Sequence, residues 1–158
     1  MTAAEMHLPH LTDAHRQRIL CIGESYQRLT RQALVSIAGN PIEALWSAPF
    51  AIVAHGMEPD PIFYFGNRIA LTLFEMDFDA FTRLPSRFSA EPLLREERAH
   101  LLERVTRTGI IDDYAGVRIS ATGKRFRISN ARVWNLTHAD GTAAGQAAAF
   151  SQWTHIDD

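Results

Sequence analysis

Two stretches near the end of the chain carry side chains able to hold a ligand. From Arg125 to Thr137, strict alternation puts Phe126, Ile128, Asn130, Arg132, Trp134 and Leu136 on one face of a strand. The large apolar members predict that this face looks inward, which carries Asn130 and Arg132 into the interior. An unpaired buried charge costs several kcal/mol, so Arg132 calls for an internal carboxylate or an anionic ligand. The alternative is a partly exposed position at the sheet edge, paired with Glu91 or Glu97. Trp134 is a core residue whose indole can also serve as a ligand platform. In the closing strand, Gln146 and Phe150 share a face and place an amide beside an aromatic ring. Gly145 and the alanines around them leave room either for close packing of an N-terminal helix or for a small molecule.

A third group is Pro85-Ser86-Arg87 with Glu91, Arg95 and Arg98. Ser86 and Arg87, on a loop feeding a helix N-terminus, can hold a carboxylate or phosphate, because free N–H groups and the helix dipole favour an anion there. Equally, Ser86 or Ser89 caps the helix while Glu91 pairs Arg87. Other chemistries find little support. The 7 histidines contain no close pair outside His7 and His10, and no CxxC occurs, so no metal is expected. Phosphate-binding glycine loops are absent. Cys21 is the 1 cysteine and lies among apolar helical neighbours, which reads as a buried, inert thiol. The cofactor class left is a non-covalent small molecule of unknown identity.

These residues need a scaffold, and its centre is Phe63 to Pro92. Ile62 to Phe65 reads as a buried strand and Gly66 as a tight exit. Asn67 is the predicted cap of a helix whose apolar face is Ala70, Leu71 and Phe74. This unit forms one wall of a pocket, and Asn67 and Phe74 join the candidate ligand-binding set. Before it, Thr12 or Asp13 opens a long helix with a stripe at Ile19, Ile22, Tyr26, Leu29 and Ala33. That spacing fits either packing on the chain's own sheet or a dimerisation seam. Asn40-Pro41 breaks the helix, a short turn runs to Trp46, and Phe50 to His55 forms another strand. After the wall, Glu91-Pro92 opens a helix with Leu94, Leu101, Leu102 and Val105 on one side, stopped by Gly109. Three strands follow, with turns at Thr122-Gly123-Lys124 and Ala139-Asp140-Gly141. In the first of them Ala115, Val117, Ile119 and Ala121 oppose Tyr114, Arg118 and Ser120.

The predicted architecture is α+β: a five-stranded antiparallel sheet with a helical bracket on one face and a long N-terminal helix. Residues 1–11 are expected to be a mobile N-terminus, 12–46 a helical segment and 47–158 the main domain. A length of 158 residues with 46% hydrophobic and 22% charged content fits one such domain. Net charge of −2 disfavours direct nucleic-acid binding. No apolar run is long enough for a membrane span or shaped like a secretory signal, so the expected location is the cytoplasm.

The segments FYFGNRIALTLFE, LPSRFSAEP, REER, GIIDDYAGVRISATGKRF, VWNL and GQAAAF resemble the MEKHLA domain, a PAS-like family. The resemblance runs from about Pro49 to Ile156. MEKHLA domains occur at the C-terminus of plant class III homeodomain-leucine-zipper transcription factors and as stand-alone bacterial proteins, and this chain is similar to the stand-alone form. The resemblance implies a sensory or regulatory module that binds a small molecule or forms a homodimer through its N-terminal helix and sheet. It implies no settled ligand and no reaction. Gln146 beside Phe150 resembles the lining by which PAS pockets orient a ring, while the cysteine motif that attaches flavin in photosensory relatives is absent. Two other classes stand beside this one. A small cone-fold isomerase or cyclase would use Asp112, Asp113 and Tyr114 in a desolvated pocket, and a ligand-free dimerisation module would use the Ile19 to Ala33 stripe.

Overall fold

The computed structural model describes residues 6–36, 39–90 and 95–156. Helix α1 (Asp13–Thr30) starts where the Thr12 side chain accepts the His15 backbone N–H, and ends where Arg31 turns left-handed at φ 64°. Ile19, Ile22 and Tyr26 are buried. The Trp134 indole N–H donates to the Ile22 carbonyl at 3.2 Å, and the Tyr26 ring stands edge-on to that indole at 5.0 Å. Packing on the chain's own sheet is therefore the use made of the stripe. Leu29 is 41% exposed, and Ala33 lies past the helix end. Leu11 is buried, with Met6 and Leu8 packed against the core, so residues 6–11 belong to the folded unit.

After α2 (Pro41–Trp46), capped by Asn40, come β1 (Ala51–His55) and β2 (Phe63–Gly66). The bracket is built from α3 (Arg68–Phe74), α4 (Phe78–Phe81), a 3-10 turn (Ser86–Ser89) and α5 (Arg95–Thr108). Strands β3 (Ile110–Ile119), β4 (Arg125–Thr137), β5 (Ala143–Phe150) and β6 (Gln152–Ile156) complete the chain. The sheet order is β2-β1-β5-β4-β3, with β6 also pairing β4, and every pairing is antiparallel. The antiparallel sheet with five strands along its path is as predicted; the closing strand is divided at Ser151 into β5 and β6. Pro92 and Leu94, expected to open α5 and its apolar stripe, lie outside the described residues. Leu101 and Val105 of the stripe are buried, and Gly109 stops the helix at φ 83°.

Asn67 fixes the bracket to the sheet. Its Oδ1 accepts the N–H groups of Ala70, at the start of α3, and of Ile52, both at 3.1 Å. Its Nδ2 donates to Phe50 O at 2.8 Å and Leu45 O at 3.1 Å. Gly66 is obligatory beside it, because a Cβ there would meet the Phe81 ring at 2.8 Å.

Strand β4 does not alternate throughout. Asn130 adopts φ 53°, a left-handed conformation that Asn tolerates better than most residues. Phe126 and Ile128 face the bracket, and so, after the break, do Ala131 and Val133. Arg132 and Trp134 face α1 instead. Single-face alternation from Phe126 to Leu136 is thus corrected: one extra residue reverses the parity of the second half. The interruption at Ser151 sits opposite Asn130, so Phe150 and Trp153 likewise share a side.

Candidate functional site: a cavity between sheet and bracket

Between the inner sheet face and the bracket lies a cavity of about 60 Å³. Val53, Phe63, Phe74, Ile128, Val133 and Phe150 give it apolar walls, and Leu101 of α5 closes one side. Its polar lining is His55, Ser89, Tyr114, Arg118 and Gln146, with no carboxylate among the described lining residues. His55 and Gln146 face each other across β1 and β5, and Gln146 in turn pairs with Asn135 of β4. The Gln146 amide donates to Asn135 Oδ1 at 3.4 Å, and Asn135 donates to Val105 O at 3.3 Å. This row orients Gln146. On β3, the Arg118 guanidinium stands 5.3 Å from the centre of the Tyr114 ring. Ser89 donates to Ser86 O at 2.6 Å and keeps its lone pairs for an acceptor role.

An engineered apolar cavity of about 150 Å³ binds benzene. At about 60 Å³ this one is mostly filled by its own aromatic side chains and admits only a few heavy atoms.

Of the nine residues predicted from sequence, Phe74, Gln146 and Phe150 are brought together on the cavity wall. Asn67 is fully buried with all four side-chain hydrogen bonds made inside the chain. Ser86 is buried beneath the loop, where its backbone N–H donates to Pro61 O at 2.8 Å. Arg87 is exposed, forks onto Asp60 at 3.1 Å through Nε, and lies over the Phe88 ring at 4.1 Å. Its expected partner Glu91 lies outside the described residues, as do the side chains of Arg95 and Arg98. Asn130 is exposed and donates to Gln152 at 2.8 Å.

Arg132 and Trp134 occupy the opposite side of the sheet. Arg132 donates to the Tyr26 hydroxyl at 2.8 Å and lies within 5.4 Å and 5.3 Å of the Tyr26 and Phe50 ring centres. A phenol and two ring faces take the place of the anticipated carboxylate or anion, because the break at Asn130 turns the side chain toward α1. On this side, burial also pushes the Tyr64 hydroxyl above its ordinary value of 10, while it donates to Arg18 O at 3.1 Å. Cys21 is buried there, bonded to Thr137 O at 3.1 Å.

Sequence reasoning missed His55, Ser89 and Arg118 as lining, and named Tyr114 as a pocket residue only for the cone-fold alternative. Tyr114 and Arg118 had been placed on a common face, but nothing in β3 alone said which face looks inward. Asp112 and Asp113 are exposed, and Asp113 pairs with Arg104 at 2.9 Å. The desolvated carboxylate that the cone-fold alternative requires is therefore not supplied by either.

A sheet backed by one helix and clasped on its other face by a short-helix bracket around a cavity is the PAS architecture. The PAS domain of a protein from Colwellia psychrerythraea superposes with a TM-score of 0.58 at 15% identity, covering 72% of this chain and 92% of that one. A light-oxygen-voltage domain studied with a flavin analogue gives 0.53 at 17%, covering 77% and 88%. The light-state dimer of the fungal blue-light photoreceptor Vivid gives 0.59 at 10%, covering 94% and 99%. At such identities the likeness establishes the fold. The MEKHLA domain model matches residues 16–155, and the chain belongs to that family. This match takes in most of α1 as well as the sheet and bracket, so it begins well before the Pro49 expected from sequence. No curated protein matches the chain. Among the described residues, no helix is long and apolar enough to cross a membrane, and no group of three or more His, Cys, Asp or Glu is placed to hold a metal.

Proposed function

We propose that the chain is a PAS-like sensory module. In this reading a small organic or anionic molecule enters the cavity against Phe74, Gln146 and Phe150, and its presence is relayed to α1, with homodimerisation in the cytoplasm as the output. Strand β4 carries the proposal. Ala131 and Val133 touch the cavity, while their neighbours Arg132 and Trp134 hold Tyr26 and Ile22 of α1. A displacement of β4 by a bound molecule is felt on α1 with no intervening layer. The buried seam of α1 is already used within the chain, so a partner copy would meet its polar face or the sheet edges.

Native mass spectrometry of freshly purified protein, followed by NMR of the methyl and aromatic groups, tests the reading. The expected result is a retained small molecule, or saturable shifts at Phe74 and Phe150 with added ligand. Gln146→Ala should weaken retention by about tenfold while unfolding stays cooperative. Absence of any small-molecule response at these residues would overturn it. The small cavity favours, as a second reading, a ligand-free dimerisation module; gel filtration showing an empty, stable dimer would support that instead.

A further inference from the structure

We infer that the molecule received by this cavity is a short-chain monocarboxylate, held by Arg118 and Tyr114 of β3; the inference rests on the cavity being the ligand site. Arg118 pairs in register with Phe126 and Tyr114 with Ala131, which puts both side chains on the inner face. Arg118 spends one N–H on its own neighbour, the Val117 carbonyl at 3.1 Å. Among the described residues it makes no ion pair. The Tyr114 hydroxyl has no hydrogen-bond partner among them either. Both residues line a space whose described lining contains no carboxylate; the Tyr114 hydroxyl lies over Gly116, and Tyr114 also borders the neighbouring groove that holds Glu96, Glu97 and Asp113.

Of the carboxylates on or beside this strand, Asp112 is exposed and the other two are engaged. Glu75 accepts from Ser120 and Thr122 at 2.7 Å and 2.6 Å, and Asp113 is forked by Arg104. A guanidinium offers a planar pair of N–H groups that matches a carboxylate, and in a partly desolvated site such bonds are among the stronger ones. The rest of the ligand would lie on Ile128 and Ala131, which are apolar and buried. Size sets the class. A cavity of about 60 Å³ is well below the ~150 Å³ of an engineered cavity that binds benzene, and matches a chain of a few carbons.

The test is an NMR titration of the full chain with sodium propionate, set against propanamide, its neutral near-isostere, at matched ionic strength. Propionate should shift Tyr114, Ile128 and Ala131 saturably, and propanamide should bind weaker by about tenfold or more. Arg118→Gln should lose the preference for the anion. Arg118→Lys, which keeps the charge without the fork, should bind about several-fold weaker, and serves if the Gln variant fails to fold. Equal binding of propanamide, or unchanged binding in both Arg118 variants, would overturn the carboxylate class while leaving the cavity as a ligand site. Silence toward propionate with a response to another small molecule does the same. Silence toward every small molecule removes both readings.

Discussion

Asn67 and Ile52 are joined in both directions: the Ile52 N–H donates to Asn67 Oδ1 at 3.1 Å, and the Asn67 N–H donates to Ile52 O at 3.1 Å. One side chain thereby terminates β2, starts α3 and pins both to β1. Replacing Asn67 by Ala should cost about 2–4 kcal/mol, since several buried backbone groups lose their partners at once. Asn67→Asp should be no better, because Phe50 O and Leu45 O lose their donor and a charge is buried. Urea denaturation measures both, and a loss under about 1 kcal/mol would contradict the assignment.

Arg132 separates the two sides of the sheet. Arg132→Met removes the Tyr26 hydrogen bond and the contacts with two rings. It should destabilise by about 1 kcal/mol. Small-molecule binding in the cavity should stay within about twofold of the parent, a difference of roughly 0.4 kcal/mol. A loss of binding comparable to that of the Arg118 variants would place Arg132 in the site after all.

Asn130 is the hinge of strand parity. Asn130→Gly should be nearly neutral, because glycine reaches φ 53° freely. Asn130→Val should cost about 1–3 kcal/mol, since a β-branched residue resists the left-handed region. Thermal unfolding of the pair, compared with Ser129→Val as a control on the same strand, reads the difference.

Glu75 links stability to pH. Hydrogen bonds from Thr122 and Ser120, then the nearby Lys124 ammonium, hold its carboxyl below the ordinary 4.5. A carboxyl lowered in the folded state contributes stability that is present above its unfolded value and is lost as pH falls through the folded one. Acid titration of the denaturation midpoint should therefore show a component below pH 4.5 that disappears in Glu75→Gln. An unchanged acid profile in that variant would show that the β3–β4 turn does not depend on the charge.

Most of the frame was legible in the sequence because its signals are local. Asn67 capping α3, Pro41 after Asn40, Gly109 after the α5 stripe and the two closing turns each act within a few residues. The cavity wall was legible in part. Gln146 and Phe150 were placed on a common face because β5 alternates without a break from Gly145 to Phe150. Arg132 and Trp134 were misplaced because a single left-handed residue in β4 reverses everything after it, and a period-two count has no term for such a bulge. The signal was present in kind, since Asn is the non-glycine residue most at ease there, but Asn130 also fits an ordinary strand. Arg118 was missed for another reason. Which face of β3 turns inward is decided by α5 and the 3-10 turn, elements remote from it in the chain.

The partnership between α1 and β4 also governs how the protein is made. Ile22 meets Trp134 across a separation of 112 residues. During synthesis at roughly 5–20 residues per second, the helix emerges on the order of ten seconds before the strand that covers it. Throughout that interval Ile19, Ile22 and Tyr26 have no sheet to lie on. Until β4 arrives, Arg18 and Arg28, which in the folded protein lie over the Tyr64 ring and on the Thr137 carbonyl, border this apolar stripe with charge, so they serve the unfinished protein as well as the finished one.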